Sequence, residues 1–255
     1  MDTVLQILNL LGALGLFLYG MTLMSEGLQK AAGNKLRSFL AAMTSNSLKR
    51  VLTGTFITTV IQSSSATTVM VVSFVNAGLL TLAQAVGVIM GANIGTTVTA
   101  WIISLLGFKA DISALSIPLI GVIWICFELI RFKAEKRKNI GQLIIGFALL
   151  FLGLSELKAS VPDLSSNPEV LSFIQQWTNW GFLSVLIFVL IGTLLTIILQ
   201  SSSATMALTL VMASQGWIPF EMAAAMVLGE NIGTTITANI AASVGNISAR
   251  RAALA

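Results

Sequence analysis

The sequence predicts an all-α, polytopic membrane protein made of two inverted repeats, each with a re-entrant helical hairpin and a broken helix. Three observations carry that expectation. The 255 residues are 56% hydrophobic and 9% charged, with a mean hydropathy of +0.92. Soluble domains carry about a quarter charged residues, so too few charges remain here to solvate a globular surface, and the outside must face lipid. The apolar residues come in long runs, several of spanning length. Finally, two polar motifs embedded in those runs recur at one fixed offset.

In chain order, residues 4–24 form the first span. The start Met1-Asp2-Thr3 lacks the basic region of a signal peptide, so this helix is expected to persist in the mature protein. Lys30, Lys35, Arg37, Lys49 and Arg50 follow it. Two apolar pieces, 36–43 and 51–61, flank Thr44-Ser45-Asn46-Ser47. Each is shorter than the roughly 20 helical residues that cross about 30 Å of hydrocarbon, and a re-entrant hairpin shielded by protein or water accommodates them. Residues 66–75 and 79–106 are joined by a turn at Asn76-Ala77-Gly78. The span 112–130 ends in Arg131, Lys133, Lys136, Arg137 and Lys138, and 140–157 spans again. A polar connection over 158–180 contains Pro162 and Pro168. Segments 182–199, 204–213 and 222–244 complete the pattern. Trp177, Trp180 and Trp217 read as membrane-interface anchors, and Gly12, Gly15 and Gly20 as helix-packing positions.

The repeat is visible residue by residue. Gln62-Ser63-Ser64-Ser65-Ala66-Thr67 returns as Gln200-Ser201-Ser202-Ser203-Ala204-Thr205, an offset of 138. Gly91 and Asn93-Ile94-Gly95-Thr96-Thr97 return at the same offset as Gly229 and Asn231-Ile232-Gly233-Thr234-Thr235. Residues 53–100 and 191–238 align without a gap, with 19 identities in 48 positions. The halves divide as 1–139 and 140–255. Basic residues follow the first helix of the first half and precede its counterpart, 140–157. If both clusters are cytoplasmic, the two helices run in opposite directions, which makes the repeats inverted. The 112–130 span should then have a counterpart starting near residue 250, and the sequence predicts that this last helix is missing.

Four consecutive polar side chains cannot share one face of a helix, so Gln-Ser-Ser-Ser calls for a break or a protein-lined environment. Helix N-termini with short hydroxyls cradle anions, and the same oxygens coordinate hard cations. Asn-Ile-Gly-Thr-Thr adds a carboxamide, two hydroxyls and a glycine that permits unwound backbone. The competing reading of both motifs is close helix packing by small residues. Glu230 stands where the first half has Ala92. It either helps bind a cation or lies near an interface. Glu26 and Glu156 each follow a serine at the end of a helix and read as interfacial. The chain has no His and a single cysteine, Cys126, which removes the usual proton relay and any internal disulfide. No nucleophile–base pair or metal set is visible, so an enzyme is not expected. No basic run interleaved with aromatics points to nucleic acid.

The doubled Gln-Ser-Ser-Ser with Asn-Ile-Gly-Thr-Thr resembles the type II sodium/phosphate cotransporter family, in particular its bacterial members. That resemblance implies an elevator-like transporter in the bacterial cytoplasmic membrane, with a homodimer among its expected assemblies and no organic cofactor. It implies a phosphate site at Gln62, Ser63, Ser64, Ser65, Gln200, Ser201, Ser202 and Ser203. It places Na⁺ ligands among Ser65, Thr67, Asn93, Thr96, Thr97, Ser203, Thr205, Glu230, Asn231, Thr234 and Thr235. Neither motif contains Lys or Arg. Bound Na⁺ would therefore supply the charge a phosphate dianion needs, and anion binding would depend on Na⁺ by linkage. Many bacterial relatives continue into a cytoplasmic helical domain, which is not expected here. Two alternatives stand beside this one. The first is a sodium-coupled carrier of another small anion, such as a dicarboxylate or acidic amino acid. The second is a non-transporting sensor or pore subunit.

Overall fold

A computed structural model describes residues 2–32, 46–109, 113–129, 135–160, 176–243 and 245–254. The predicted apolar piece 36–43, the residues Thr44 and Ser45, and most of the connection with Pro162 and Pro168 lie outside them. Ten helices run through the described residues. They are α1 (Asp2–Ala32), α2 (Ser47–Ile61), α3 (Ser64–Asn76), α4 (Leu82–Ile102), α5 (Ser113–Leu129), α6 (Glu135–Ser160), α7 (Phe182–Leu199), α8 (Ser202–Ser214), α9 (Phe220–Ala242) and α10 (Ile247–Leu254). Four stretches are long and apolar enough to cross a membrane: Val4–Lys30, Leu82–Phe108, Arg137–Ser160 and Phe182–Leu199. The 13-residue helices α3 and α8 reach only about 20 Å at 1.5 Å per residue, short of the hydrocarbon thickness.

The long helices α1 and α6 pack against each other through a seam of glycines. Gly20 lies against the backbone of Leu149 and Leu150, Gly27 against Asn139 and Leu143, and Gly146 against Gly20 and Met24. Gly153 lies against Phe17 in the same seam. Residue numbers fall on one helix as they rise on the other, so the pair is antiparallel. A side chain at any of these glycines would overlap backbone, and this close approach maximises dispersion where lipid supplies no hydrophobic drive. Gly12 and Gly15 depart from the packing expectation: among the described residues nothing lies within 4 Å of where their Cβ atoms would be. They fall on the stretch of α1 that presents Leu8 and Leu11 outward.

The two halves repeat in three dimensions. Gly54 meets the carbonyl of Val88 and Gly91 that of Val51, which locks α2 to α4. Gly192 meets Met226 and Gly229 meets Val189, which locks α7 to α9. Thr55 Oγ1 donates to the Gly91 carbonyl at 3.1 Å, and Thr193 Oγ1 to that of Gly229 at 3.1 Å. The halves also interlock. Ala204, Ala207 and Val211 of α8 share a core with Phe17, Ile103 and Phe151, while Val72 of α3 packs with Ala238 and Ala242 of α9 and Ala253 of α10.

The structure corrects one expectation about backbone. The Asn-Ile-Gly-Thr-Thr segments are not unwound: α4 and α9 run through them as continuous helix. Gly95 and Gly233 serve close approach instead, Gly95 to Thr55 and Thr58 and Gly233 to Thr193 and Thr196. Beyond Ile102 the chain of α4 continues as a π-helical stretch, Ile103–Lys109. Lys158 donates to the Gly107 carbonyl there and lies 3.8 Å from the centre of the Phe108 ring. At the end of α9, Asn246 bonds twice to Asn76, from its backbone N–H to Oδ1 at 2.8 Å and from Nδ2 to the carbonyl at 3.0 Å. Those bonds seat α10 beside α3.

Candidate functional site

The site starts from two peptide units that leave the helix. Gln62 closes α2 with φ 56°, and Gln200 closes α7 with φ 52°. They are the two non-glycine residues of the described chain with positive φ. For an L-residue this left-handed conformation costs roughly 1–2 kcal/mol. Each carboxamide offsets part of that cost by bending back to its own last turn: Gln62 Nε2 donates to the Thr59 carbonyl at 2.5 Å, Gln200 Nε2 to the Ile197 carbonyl at 2.6 Å. The next residue is extended and caps the following helix. Ser63 Oγ accepts from the Ala66 N–H and Ser201 Oγ from the Ala204 N–H, both at 3.2 Å. Helix end, extended serine and helix start thus fit into three residues, and the two breaks are copies of each other.

The breaks meet. Ser64 Oγ and Ser202 Oγ lie 3.3 Å apart. Residues 62–65 and 200–203 line one cavity of about 430 Å³, walled on the other side by Leu18, Met21, Thr22, Ser25, Glu26 and Gln29 of α1. All eight residues predicted to hold the anion are therefore brought together. The N-termini of α3 and α8 open here, a favourable place for negative charge. The C-termini of α2 and α7 end at the same breaks and offer carbonyl oxygens, which suit cations. Among the described residues, no Lys or Arg lines the cavity. The nearby Lys30 is paired with Glu26 at 3.1 Å, and Gln142 also donates to Glu26 at 3.1 Å.

Hydroxyls extend from the breaks into the protein. Thr58 bonds Thr67, and Thr196 bonds Thr205, each at 3.1 Å between side-chain oxygens. Thr67 donates to the Ser63 carbonyl at 2.9 Å, Thr205 to that of Ser201 at 3.1 Å. The buried Gln62 Oε1 accepts from Thr99 at 2.8 Å, and Gln200 is exposed. The Asn-Ile-Gly-Thr-Thr residues do not line the central cavity. Thr96 donates to the Ala92 carbonyl at 3.3 Å, Thr97 to Ile94 at 2.7 Å, and Thr235 to Ile232 at 2.7 Å. Thr234 donates to the Glu230 carbonyl at 2.9 Å. Asn93, Thr234 and Thr235 instead share a separate cavity of about 110 Å³ with Thr68, while Asn231 is half-buried on α9. Glu230 is buried, and its Oε1 accepts from Thr209 at 2.9 Å.

Sequence reasoning missed the α1 wall. Ser25 donates to the Ile61 carbonyl, the last of α2, and Gln29 Nε2 donates to Ser25 Oγ at 2.8 Å. Glu26, read as interfacial, lies at the mouth of the cavity. Its serine neighbour was the available signal, because a Ser-Glu pair closes the first helix of each half. Trp177 and Trp180 stack with ring centres 5.1 Å apart. Trp217, also read as an anchor, is drawn inward, with its indole N–H buried and without a partner among the described residues.

With this geometry in hand, comparison with known proteins is informative. The sequence matches the Na⁺/Pi-cotransporter family over residues 16–159 and 166–254. It is 33% identical over 250 residues to the "Putative inorganic phosphate export protein YjbB" of Escherichia coli O157:H7, covering 98% of this chain and 44% of that protein. It is 33% identical over 246 residues to the uncharacterized protein YqeW of Bacillus subtilis, covering 94% of this chain and 74% of YqeW. A segment of 103 residues is 37% identical to the sodium-dependent phosphate transport protein 2B of Homo sapiens, covering 40% of this chain and 15% of that protein. The chain thus spans less than half the length of YjbB. No solved structure matches it. The chain belongs to the Na⁺/Pi-cotransporter family, as its doubled motif implied.

Proposed function

From that membership we propose that the chain carries inorganic phosphate across the membrane together with Na⁺, and that residues 62–65 and 200–203 form the phosphate site. The observation that carries this reading is the meeting of Ser64 and Ser202 at 3.3 Å, which puts two helix N-termini and six serine hydroxyls around one cavity. A phosphate needs several donors and no particular side-chain shape, and this cavity supplies amides and hydroxyls. Among the described residues it supplies no cationic side chain. Placing a multivalent anion there without a counter-ion is strongly unfavourable, and cations held by nearby oxygens remove that cost. Ser65, Thr67, Ser203 and Thr205 stand closest to the breaks and are proposed as Na⁺ ligands, with the predicted residues of α4 and α9 behind them. Phosphate and Na⁺ then raise each other's affinity, and that mutual dependence couples their transport.

Alternating access follows from inverted repeats. The antiparallel α1–α6 pair supports the inversion. In the elevator form of the proposal, this glycine-sealed pair is the frame, and the bodies α2–α4 and α7–α9 carry the site past it. The names of the relatives point to both export and sodium dependence, so the direction of net transport is proposed to follow the prevailing gradients. Phosphate uptake into proteoliposomes tests the proposal. An inward Na⁺ gradient should drive accumulation, and replacement of Na⁺ by choline should abolish it. Uptake that is the same in choline would overturn the sodium coupling.

A further inference from the structure

The hydroxyl column of the second half runs one helical turn deeper than that of the first. From the break it passes Ser201, Thr205 and Thr209 and ends on Glu230. The equivalent positions in the first half, 138 residues earlier, are Val71 and Ala92. Both members of the polar pair have therefore been exchanged for apolar residues, or the reverse, within an otherwise matching pair of helices. Glu230 is 2% exposed. Its Oε1 has one hydrogen-bond donor, and its Oε2 is buried with none among the described residues. The Thr209 hydroxyl has a single proton and also lies 2.9 Å from the Thr205 carbonyl, so it cannot fully serve the carboxylate. A carboxylate accepts about four hydrogen bonds, and leaving one buried and short of partners is costly. No described basic side chain pairs with it: Arg250 donates to the Ser243 carbonyl at 2.8 Å, and Arg251 is exposed.

We propose that Glu230 and Thr209 form a site for a monovalent alkali cation that only the second half possesses, outside the phosphate cavity. Carboxylate, hydroxyl and carbonyl oxygens are hard ligands, and a single negative charge balances a single positive one. The inference rests on the cation-coupled reading for its purpose, but it can be measured without phosphate and without transport. Equilibrium binding of radiolabelled Na⁺ to the purified, detergent-solubilised chain in phosphate-free buffer counts the bound ions. E230Q should bind one Na⁺ fewer per chain than wild type. The double variant T209V/E230A, which installs the first half's own residues and so suits the surrounding helices, should lose the same ion. The single variant T209V keeps the charge and should bind that ion more weakly. An unchanged Na⁺ count in E230Q and in T209V/E230A overturns this site and leaves the coupled reading standing. A wild-type chain that binds no Na⁺ overturns both. Sodium-driven phosphate uptake failing while the count still drops by one in the variants would overturn the transport reading and keep the site.

Discussion

The first break, Gln62-Ser63, and the second, Gln200-Ser201, share a backbone but differ in what holds them. In the first, Gln62 is buried, bridges to Thr99, and the preceding carbonyl of Ile61 accepts from Ser25 on α1. In the second, Gln200 is exposed, and the added polarity lies deeper, at Thr209 and Glu230. One break is fastened to the α1–α6 pair, while the other carries the buried acid. A duplicated sequence thus yields equal local geometry and unequal surroundings. Local hydrogen bonds and glycine contacts depend on residues within one half, whereas fastening depends on what the other elements present.

The largest test of the shared part is at the serines. S64A/S202A should lower phosphate affinity by roughly 10- to 100-fold per hydroxyl removed, from about 1.5–3 kcal/mol for each hydrogen bond to a charged group. Calorimetric titration in Na⁺ measures it, and the two single variants should be alike. Unchanged affinity in both would remove these serines from the site. Next come the glycines. G91V and G229V each push a side chain into a backbone carbonyl, of Val51 and of Val189 respectively. Each should destabilise by about 1–3 kcal/mol, and by matching amounts. Thermal unfolding in detergent reads the pair, and a large mismatch would mean that the halves are not mechanically equivalent.

Smaller effects sharpen the difference. Q62A strips the buried Thr99 hydroxyl of its acceptor and should cost about 1 kcal/mol. The double variant Q62A/T99V leaves no buried hydroxyl unpaired and should recover part of that loss. No recovery would show that Thr99 finds another partner. S25A removes two hydrogen bonds, one to the Ile61 carbonyl and one from Gln29, at about 0.5–1.5 kcal/mol each. Its more telling consequence is kinetic. If Ser25 fastens the first body to α1, phosphate exchange across proteoliposomes should change in S25A while equilibrium phosphate affinity does not. An affinity change of the same size as the rate change would make Ser25 a ligand instead.

Much of this was legible before any coordinates. The offset of 138 predicted two equivalent sites, and the run of four polar residues predicted either a break or a protein-lined environment, because a helix cannot turn four consecutive side chains to one face. An all-helical chain with helices long and apolar enough to cross a membrane followed from charge scarcity together with the long apolar runs. Less legible was the role of the second motif. Asn93 and Asn231 sit in intact helix, because the glycines beside them are used for close approach, and nothing in the sequence separates a glycine that bends backbone from one that admits a neighbour. Gly12 and Gly20 look alike in the sequence, yet Gly12 faces open space and Gly20 faces Leu150.

The sequence by itself determined where the chain leaves the helix and that it does so twice in the same way, since these depend on neighbours along the backbone. Tertiary structure decided that Ser64 meets Ser202, that Ser25 reaches Ile61, and that Glu230 finds Thr209 and, among the described residues, no cationic side chain. Those pairs are brought together by helix packing across the fold. Packing is set by the shape of whole helix faces, and no periodicity along one segment records which face of another it will touch.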